Sequence, residues 1–161
     1  MLKNWIVSGV CFLGVQSCNN SDLYLNYYDF KDKWEANEKV VFELNPEPIE
    51  PVNLMIYLRN DNRYGFSNIF LIATLKEGDK ILLCDTLEYL MADPKGKWLG
   101  VGFLELKESK LWWKENFDFP QGKNITATLE HAVRHAGSEK GIKDLEGIVG
   151  VGLSIEKIED E

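Results

Sequence analysis

Basic residues, cysteines, histidines and long apolar runs are all scarce in this chain. Lysine and arginine together number 18 against 26 aspartates and glutamates, a formal net charge of −8. A surface of that sign repels phosphate backbones and anionic head groups, which excludes nucleic-acid binding and polybasic membrane binding. No apolar run reaches the roughly 20 residues that a membrane-spanning helix needs. No serine stands in a nucleophile-elbow pattern. The glycines of Gly147-Ile148-Val149-Gly150-Val151-Gly152 lie inside a strand pattern with no helix after it, so they read as close packing rather than as a phosphate loop. The two histidines of the mature region, His131 and His135, have the i, i+4 spacing of zinc proteases. The glutamate such a site needs after the first histidine is replaced by Ala132, and no third ligand stands out, so no metal and no cofactor is expected.

What is present at the N-terminus is specific. Lys3 supplies a lone positive charge, an apolar stretch runs from Trp5 to Val15, and Val15-Gln16-Ser17-Cys18 follows. This is a short basic region, an apolar core of signal-peptide length and a lipoprotein cleavage site. The expectation is that residues 1–17 are removed and that the Cys18 thiol carries a diacylglycerol, so the chain is held to a membrane by acyl chains rather than by a span. Cleavage removes Lys3 and Cys11 as well. Cys84 is then the only cysteine besides the lipidated one, which leaves no internal disulfide. Cys84 lies in the strand-like run Lys80-Ile81-Leu82-Leu83-Cys84-Asp85 and reads as a small buried hydrophobe. Residues 18–22 form a short tether, and residues 23–161 have the size of a single domain.

The periodicity of that domain is two. Leu54, Ile56 and Leu58 alternate with more polar neighbours, as do Ile125, Ala127 and Leu129, and Val149, Val151, Leu153 and Ile155. This is the pattern of sheets with one buried face. Further strands are expected over residues 23–30, 39–44, 68–75, 80–91, 98–106 and 111–119. Turn signals separate them at residues 76–79, 92–96 and 120–123. Short helical pieces are expected at most around residues 26–38 and 130–136. The fold class is all-β: an antiparallel β-sandwich, jelly-roll-like, with little helix.

Two connections carry most of the hydrogen-bonding and stacking groups. Residues 58–68 hold Arg59, Asn60, Asn62, Arg63, Tyr64, Phe66 and Asn68 between two apolar strands. Residues 91–103 hold Asp93, Pro94, Gly96, Lys97, Trp98 and Phe103, with Trp112 and Trp113 further on. The tryptophans fit three roles: closing the core, anchoring a protein interface, or stacking on a sugar. Arg59, Asn60, Asn62, Tyr64, Lys97 and Trp98 are the candidate partner or ligand surface. Asp85 and Glu88, three apart on a strand, point to opposite faces and read as solvated residues rather than as a catalytic carboxylate pair.

The runs Leu58-Arg59-Asn60, Tyr64, Phe66-Ser67-Asn68 and Phe70-Leu71 share a wider pattern with Asp85-Thr86-Leu87-Glu88-Tyr89, Met91-Ala92-Asp93-Pro94 and Gly96-Lys97-Trp98-Leu99-Gly100. With Lys110-Leu111-Trp112 and the closing Gly141-Ile142, Leu145-Glu146-Gly147-Ile148 and Val151-Gly152, the pattern resembles the gliding-motility lipoprotein GldH family of Bacteroidetes. The resemblance covers nearly the whole mature chain. It implies an outer-membrane lipoprotein facing the periplasm, tied to the gliding apparatus and to type IX secretion. It implies no catalytic chemistry, and as partners it implies other gliding or secretion lipoproteins and envelope proteins. The residue pattern alone also admits a glycan- or small-ligand-binding module.

Overall fold

The computed structural model describes residues 21–133 and 144–159. Among them are ten strands and no helix: β1 (Asp22–Asp29), β2 (Lys33–Glu35), β3 (Val40–Leu44), β4 (Val52–Asn60), β5 (Asn68–Glu77), β6 (Lys80–Leu90), β7 (Lys107–Phe117), β8 (Ile125–His131), β9 (Asp144–Glu146) and β10 (Ile148–Lys157). Every pairing is antiparallel. One sheet runs β1-β10-β4-β7, the other β3-β8-β5-β6, and β2 pairs with β9. With the short β2–β9 pair set aside, the first sheet joins the first, last, third and sixth long strands. The second joins the second, seventh, fourth and fifth. That order is a jelly roll, so the expected fold class holds.

The core lies between the sheets. Leu54, Ile56, Leu58, Val151, Leu153 and Ile155 from the first sheet face Ile69, Leu71, Leu75, Ile125 and Leu129 from the second, and all are essentially inaccessible. Trp34 of β2 seals one end. Its ring stacks on Phe30 at 5.0 Å, and its Nε1 donates to the Glu38 carbonyl at 2.8 Å. Burying a large aromatic with its polar tip satisfied is the arrangement such side chains require.

Register fixes which residues share an end of the sandwich. Asp22 lies opposite Glu156, and Val52 lies opposite both Lys157 and Phe117, which defines one end. Asp29 opposite Gly150, Arg59 opposite Glu108 and Asn60 opposite Lys107 define the other. Ser21, where the described chain begins, belongs to the first end: its carbonyl accepts from the Lys157 amide at 2.9 Å.

Several local expectations need correction. Residues 26–38 form the end of β1 and all of β2, not a helix, and residues 130–131 end β8. The rest of the second helical piece, like His135, Cys18 and the signal segment, lies outside the described residues. Residues 98–106 are not a strand. They make only the isolated bridges Ala92–Trp98 and Val101–Glu108, the second to the start of β7, and the pairing goes no further. Cys84 is exposed, since β6 is a sheet edge and Cys84 lies on its outer face. Its Sγ accepts from the Thr74 hydroxyl at 3.6 Å.

Candidate functional site

The outer face of the first sheet is not the solvated surface that strict alternation predicts. Met55, Tyr57, Ser154 and Glu156 all point outward, yet all are buried. For Tyr57 the cause lies in β10. A side chain at Gly152 would meet the Tyr27 ring at 2.7 Å, so the absent Cβ lets that ring lie flat on the strand. Tyr27 then contacts the Tyr57 ring at 5.6 Å, and the Arg59 guanidinium stacks 3.9 Å above Tyr27. Burial, then the nearby Glu108 charge, pushes the Tyr27 hydroxyl up to about 12.

Two ionic groups are set into this face. Arg59 Nε donates to Glu108 Oε2 at 2.6 Å, and Arg59 Nη1 lies 3.7 Å from Asp29. Glu156 accepts from Ser154 Oγ at 2.6 Å, Lys110 Nζ at 2.7 Å and Tyr57 Oη at 3.0 Å. Burial would raise the Glu156 carboxyl, but these three donors outweigh it and hold the group below its ordinary value. These groups are internally paired, and what they do is fix a rigid wall.

The end of the sandwich away from Ser21 brings together both sequence-predicted connections. Met91 and Ala92 amides donate to the Ser67 carbonyl at 2.7 and 3.1 Å, and the Leu99 amide donates to the Met91 carbonyl at 2.9 Å. Trp98 Nε1 donates to Asn62 Oδ1 at 3.3 Å, and the Trp98 ring lies 6.1 Å from that of Tyr64. The turn at residues 93–98 is built on Asp93, whose Oδ1 accepts from the amides of Lys95 and Lys97 at 2.8 and 2.9 Å. Gly96 takes the left-handed conformation at φ 82°.

The six candidate residues divide. Lys97 and Asn62 are exposed, and Trp98 and Arg59 are half-buried. Asn60 and Tyr64 are interior, at 1% and 3% exposure, so neither can touch a partner. Tyr64 closes the core, and its hydroxyl donates to the Asn68 carbonyl at 2.8 Å. Gly147 makes room for it: at φ 79°, a Cβ there would collide with the Tyr64 amide nitrogen. Asp85 is also misread by spacing alone, because it binds Trp113 and Lys114 across the sheets. Glu88 accepts from Asn68 Nδ2 at 2.8 Å.

The most exposed apolar surface at this end lies partly in the segment 91–103 that the sequence reading singled out, but none of its apolar residues was among the six candidates. Leu99, Val101, Phe103, Leu104 and Leu106 form one continuous loop, with Val101, Phe103 and Leu104 at 84, 83 and 77% exposure. The loop is ordered by its own backbone. Val101 and Glu108 exchange both amide hydrogen bonds at 2.8 Å, and Lys107 Nζ donates to the carbonyls of Gly102 and Leu104 at 3.1 Å. Apolar residues outside any strand were the available signal; their strand-like periodicity masked it. A cleft of about 500 Å³ opens nearby, lined by Asp29, Asp32, Glu35, Glu38, Lys31 and Lys33 among others. Among the described residues its one lining aromatic is Tyr28, whose hydroxyl donates to Glu38 at 2.8 Å. Among the described residues, no cluster of His, Cys, Asp and Glu is arranged to hold a metal ion. His131 ends a strand and is buried, with its ring edge-on to Trp34 at 5.3 Å.

The profile of the GldH lipoprotein family matches residues 22–155, from the first strand of the sandwich into the last. The chain belongs to the GldH lipoprotein family. It is 42% identical over 142 residues to the "Gliding motility lipoprotein GldH homolog" of Christiangramia forsetii, covering 88% of this chain and 87% of that protein. It is 37% identical over 142 residues to the "Gliding motility lipoprotein GldH" of Flavobacterium johnsoniae, covering 88% of each. No solved structure matches it. Membership makes this GldH-family chain a gliding-motility lipoprotein, and so a lipid-anchored protein of the cell envelope. The role given by those names is not an enzymatic one.

Proposed function

We propose that the chain is a non-enzymatic accessory lipoprotein of the gliding apparatus, linked to type IX secretion, that acts by protein–protein contact at the end of the sandwich remote from its anchor. The Cys18 thiol carries the lipid, in the outer membrane, with the domain facing the periplasm. Its partners are other gliding or secretion lipoproteins and envelope proteins.

One observation carries this reading: the exposed apolar loop of Leu99, Val101, Phe103, Leu104 and Leu106, held in shape by Lys107, at the end opposite Ser21. Contiguous exposed apolar surface on a rigid scaffold marks an interaction site. Register puts that surface a full strand length from the residue that leads to Cys18, so it projects away from the anchoring membrane. The adjoining turn adds Lys97 and Trp98, residue types suited to the rim and the anchor of an interface. The test is a photo-crosslinking residue at Phe103 in native envelopes. A discrete, reproducible protein adduct, absent when the residue is placed at Glu43 on the outer face of β3, supports the proposal; the same adducts from both positions contradict it.

A further inference from the structure

The Ser21 end of the sandwich carries its own apolar feature. Asn45-Pro46-Glu47-Pro48-Ile49-Glu50-Pro51 connects β3 to β4, and Ile49 at its tip is 101% exposed, as open as a free side chain. Leu23 at the start of β1 and Ile158 just after β10 are also exposed, at 37% and 43%. These residues are not scattered. Leu23, Pro48, Ile49, Pro51, Val52 and Ile158 border one shallow hollow of about 370 Å³.

Geometry ties this hollow to the anchor. Ser21 is bonded to Lys157, the residue before Ile158, and Cys18 stands three residues before Ser21. At most about 3.6 Å of reach per residue keeps the Cys18 backbone within roughly 11 Å of Ser21. A domain so tethered keeps this end the nearest to the head groups.

We propose that the Ile49 tip, with Leu23 and Ile158, seats in the head-group region of the membrane that holds the anchor, giving the domain a second lipid contact and a fixed orientation. The inference rests on the reading of Cys18 as the lipidated residue.

The chemistry of the tip fits a lipid interface. Pro46, Pro48 and Pro51 have no amide hydrogen to leave unbonded when water is withdrawn. The Pro48 carbonyl already accepts from the Gln121 side-chain amide at 2.5 Å, which also pins the connection to the sandwich. A stiff loop loses little freedom on seating. Glu47 and Glu50 flank the tip and Lys157 adjoins it, so the contact favours zwitterionic head groups, whose ammonium groups the carboxylates can meet, over anionic ones.

The experiment uses the full lipidated protein in vesicles of phosphatidylethanolamine and phosphatidylcholine. Cys84, which is exposed, is first changed by Cys84→Ser, and a single environment-sensitive dye is then placed through Ile49→Cys or Val101→Cys. Vesicle flotation reports the anchor, and dye quenching by nitroxide-labelled lipid reports the seating. The proposal expects flotation of both proteins, with the dye at position 49 blue-shifted and quenched several-fold more than the dye at position 101. Flotation with an unquenched dye at position 49 overturns the proposal and leaves the anchor standing. Stronger quenching at position 101 than at position 49 overturns it and inverts the orientation. Failure to float removes the anchor assignment, and this proposal with it. Melting curves of both labelled proteins that match the parent exclude misfolding as the cause.

Discussion

Trp113 Nε1 donates to Asp85 Oδ2 at 3.0 Å, joining the β7 edge of one sheet to the β6 edge of the other. Lys114 Nζ adds an ion pair to the same carboxylate at 3.3 Å, and the Tyr89 hydroxyl donates to the Trp112 carbonyl at 2.6 Å beside it. The β6 and β7 side of the sandwich is therefore closed by polar bonds.

Asp85→Ala removes the acceptor and leaves a buried indole N–H unpaired, at a cost of about 1–3 kcal/mol. Asp85→Asn keeps an oxygen in place and loses less. Adding Trp113→Phe to Asp85→Ala removes the orphaned donor, so the double variant is less destabilised than the sum of the singles. Urea unfolding of the parent, Asp85→Ala, Trp113→Phe and the double variant checks the cycle, with Asp85→Asn beside them; additive losses contradict the bond.

Much of the frame was legible from alternation. Leu54, Ile56 and Leu58, and Ile125, Ala127 and Leu129, face the core as their spacing requires. The strands β2 and β9 were not legible, because three residues carry no period, and Trp34 is buried by its partners rather than by any pattern. Alternation also failed where the outer face is itself covered. Tyr57 is covered because glycine at 152 admits the Tyr27 ring, a relation between strands distant in sequence. The candidate site was half legible. Polar density located the two connections and their turn, but composition could not distinguish Tyr64, which closes the core, from Lys97, which is exposed. Residues 98–106 had the apolar content of a strand but pair with β7 at a single bridge, Val101 with Glu108.

Two substitutions separate core from surface at that site. Tyr64→Ala deletes a buried ring and is expected to cost about 3 kcal/mol or more. Lys97→Ala is expected to stay within about 0.5 kcal/mol of the parent. Thermal denaturation distinguishes them, and equal melting temperatures would place Tyr64 at the surface after all.

The glycines of the last strand region make a graded series. Gly147→Ala adds a methyl group against the Tyr64 backbone at a positive φ, which nothing nearby can relieve. Gly152→Ala meets chiefly the Tyr27 ring, a half-buried side chain that can turn aside, with the Asn26 carbonyl oxygen next at 3.2 Å. The first is expected to lose about 3 kcal/mol or more, the second about 1–2 kcal/mol. The reverse order in chemical denaturation contradicts the packing described.

Stability should fall on acidification in two stages. Burial lowers the His131 imidazole from its ordinary 6.5, despite the favourable backbone of Trp34 and Glu35 nearby. The unfolded chain therefore takes up that proton first, and stability drops as pH falls below about 6.5. Glu156 is held below its ordinary 4.5, so its contribution is present above that pH and is lost as pH falls further. Glu156→Gln is expected to flatten the second stage and leave the first unchanged. A pH series of melting temperatures decides it, and an unaltered acid slope in the variant would show that Glu156 does not titrate as described.

The central claim is that the exposed loop at the end remote from Ser21 makes the contact on which function depends. The most direct measurement is colony spreading by a gliding host whose own family member has been removed, complemented with this chain or with the Phe103→Ser, Leu104→Ser double variant. The account predicts that the parent chain restores spreading and the variant does not, at equal membrane-fraction abundance and unchanged melting temperature. Full spreading by the variant would contradict it.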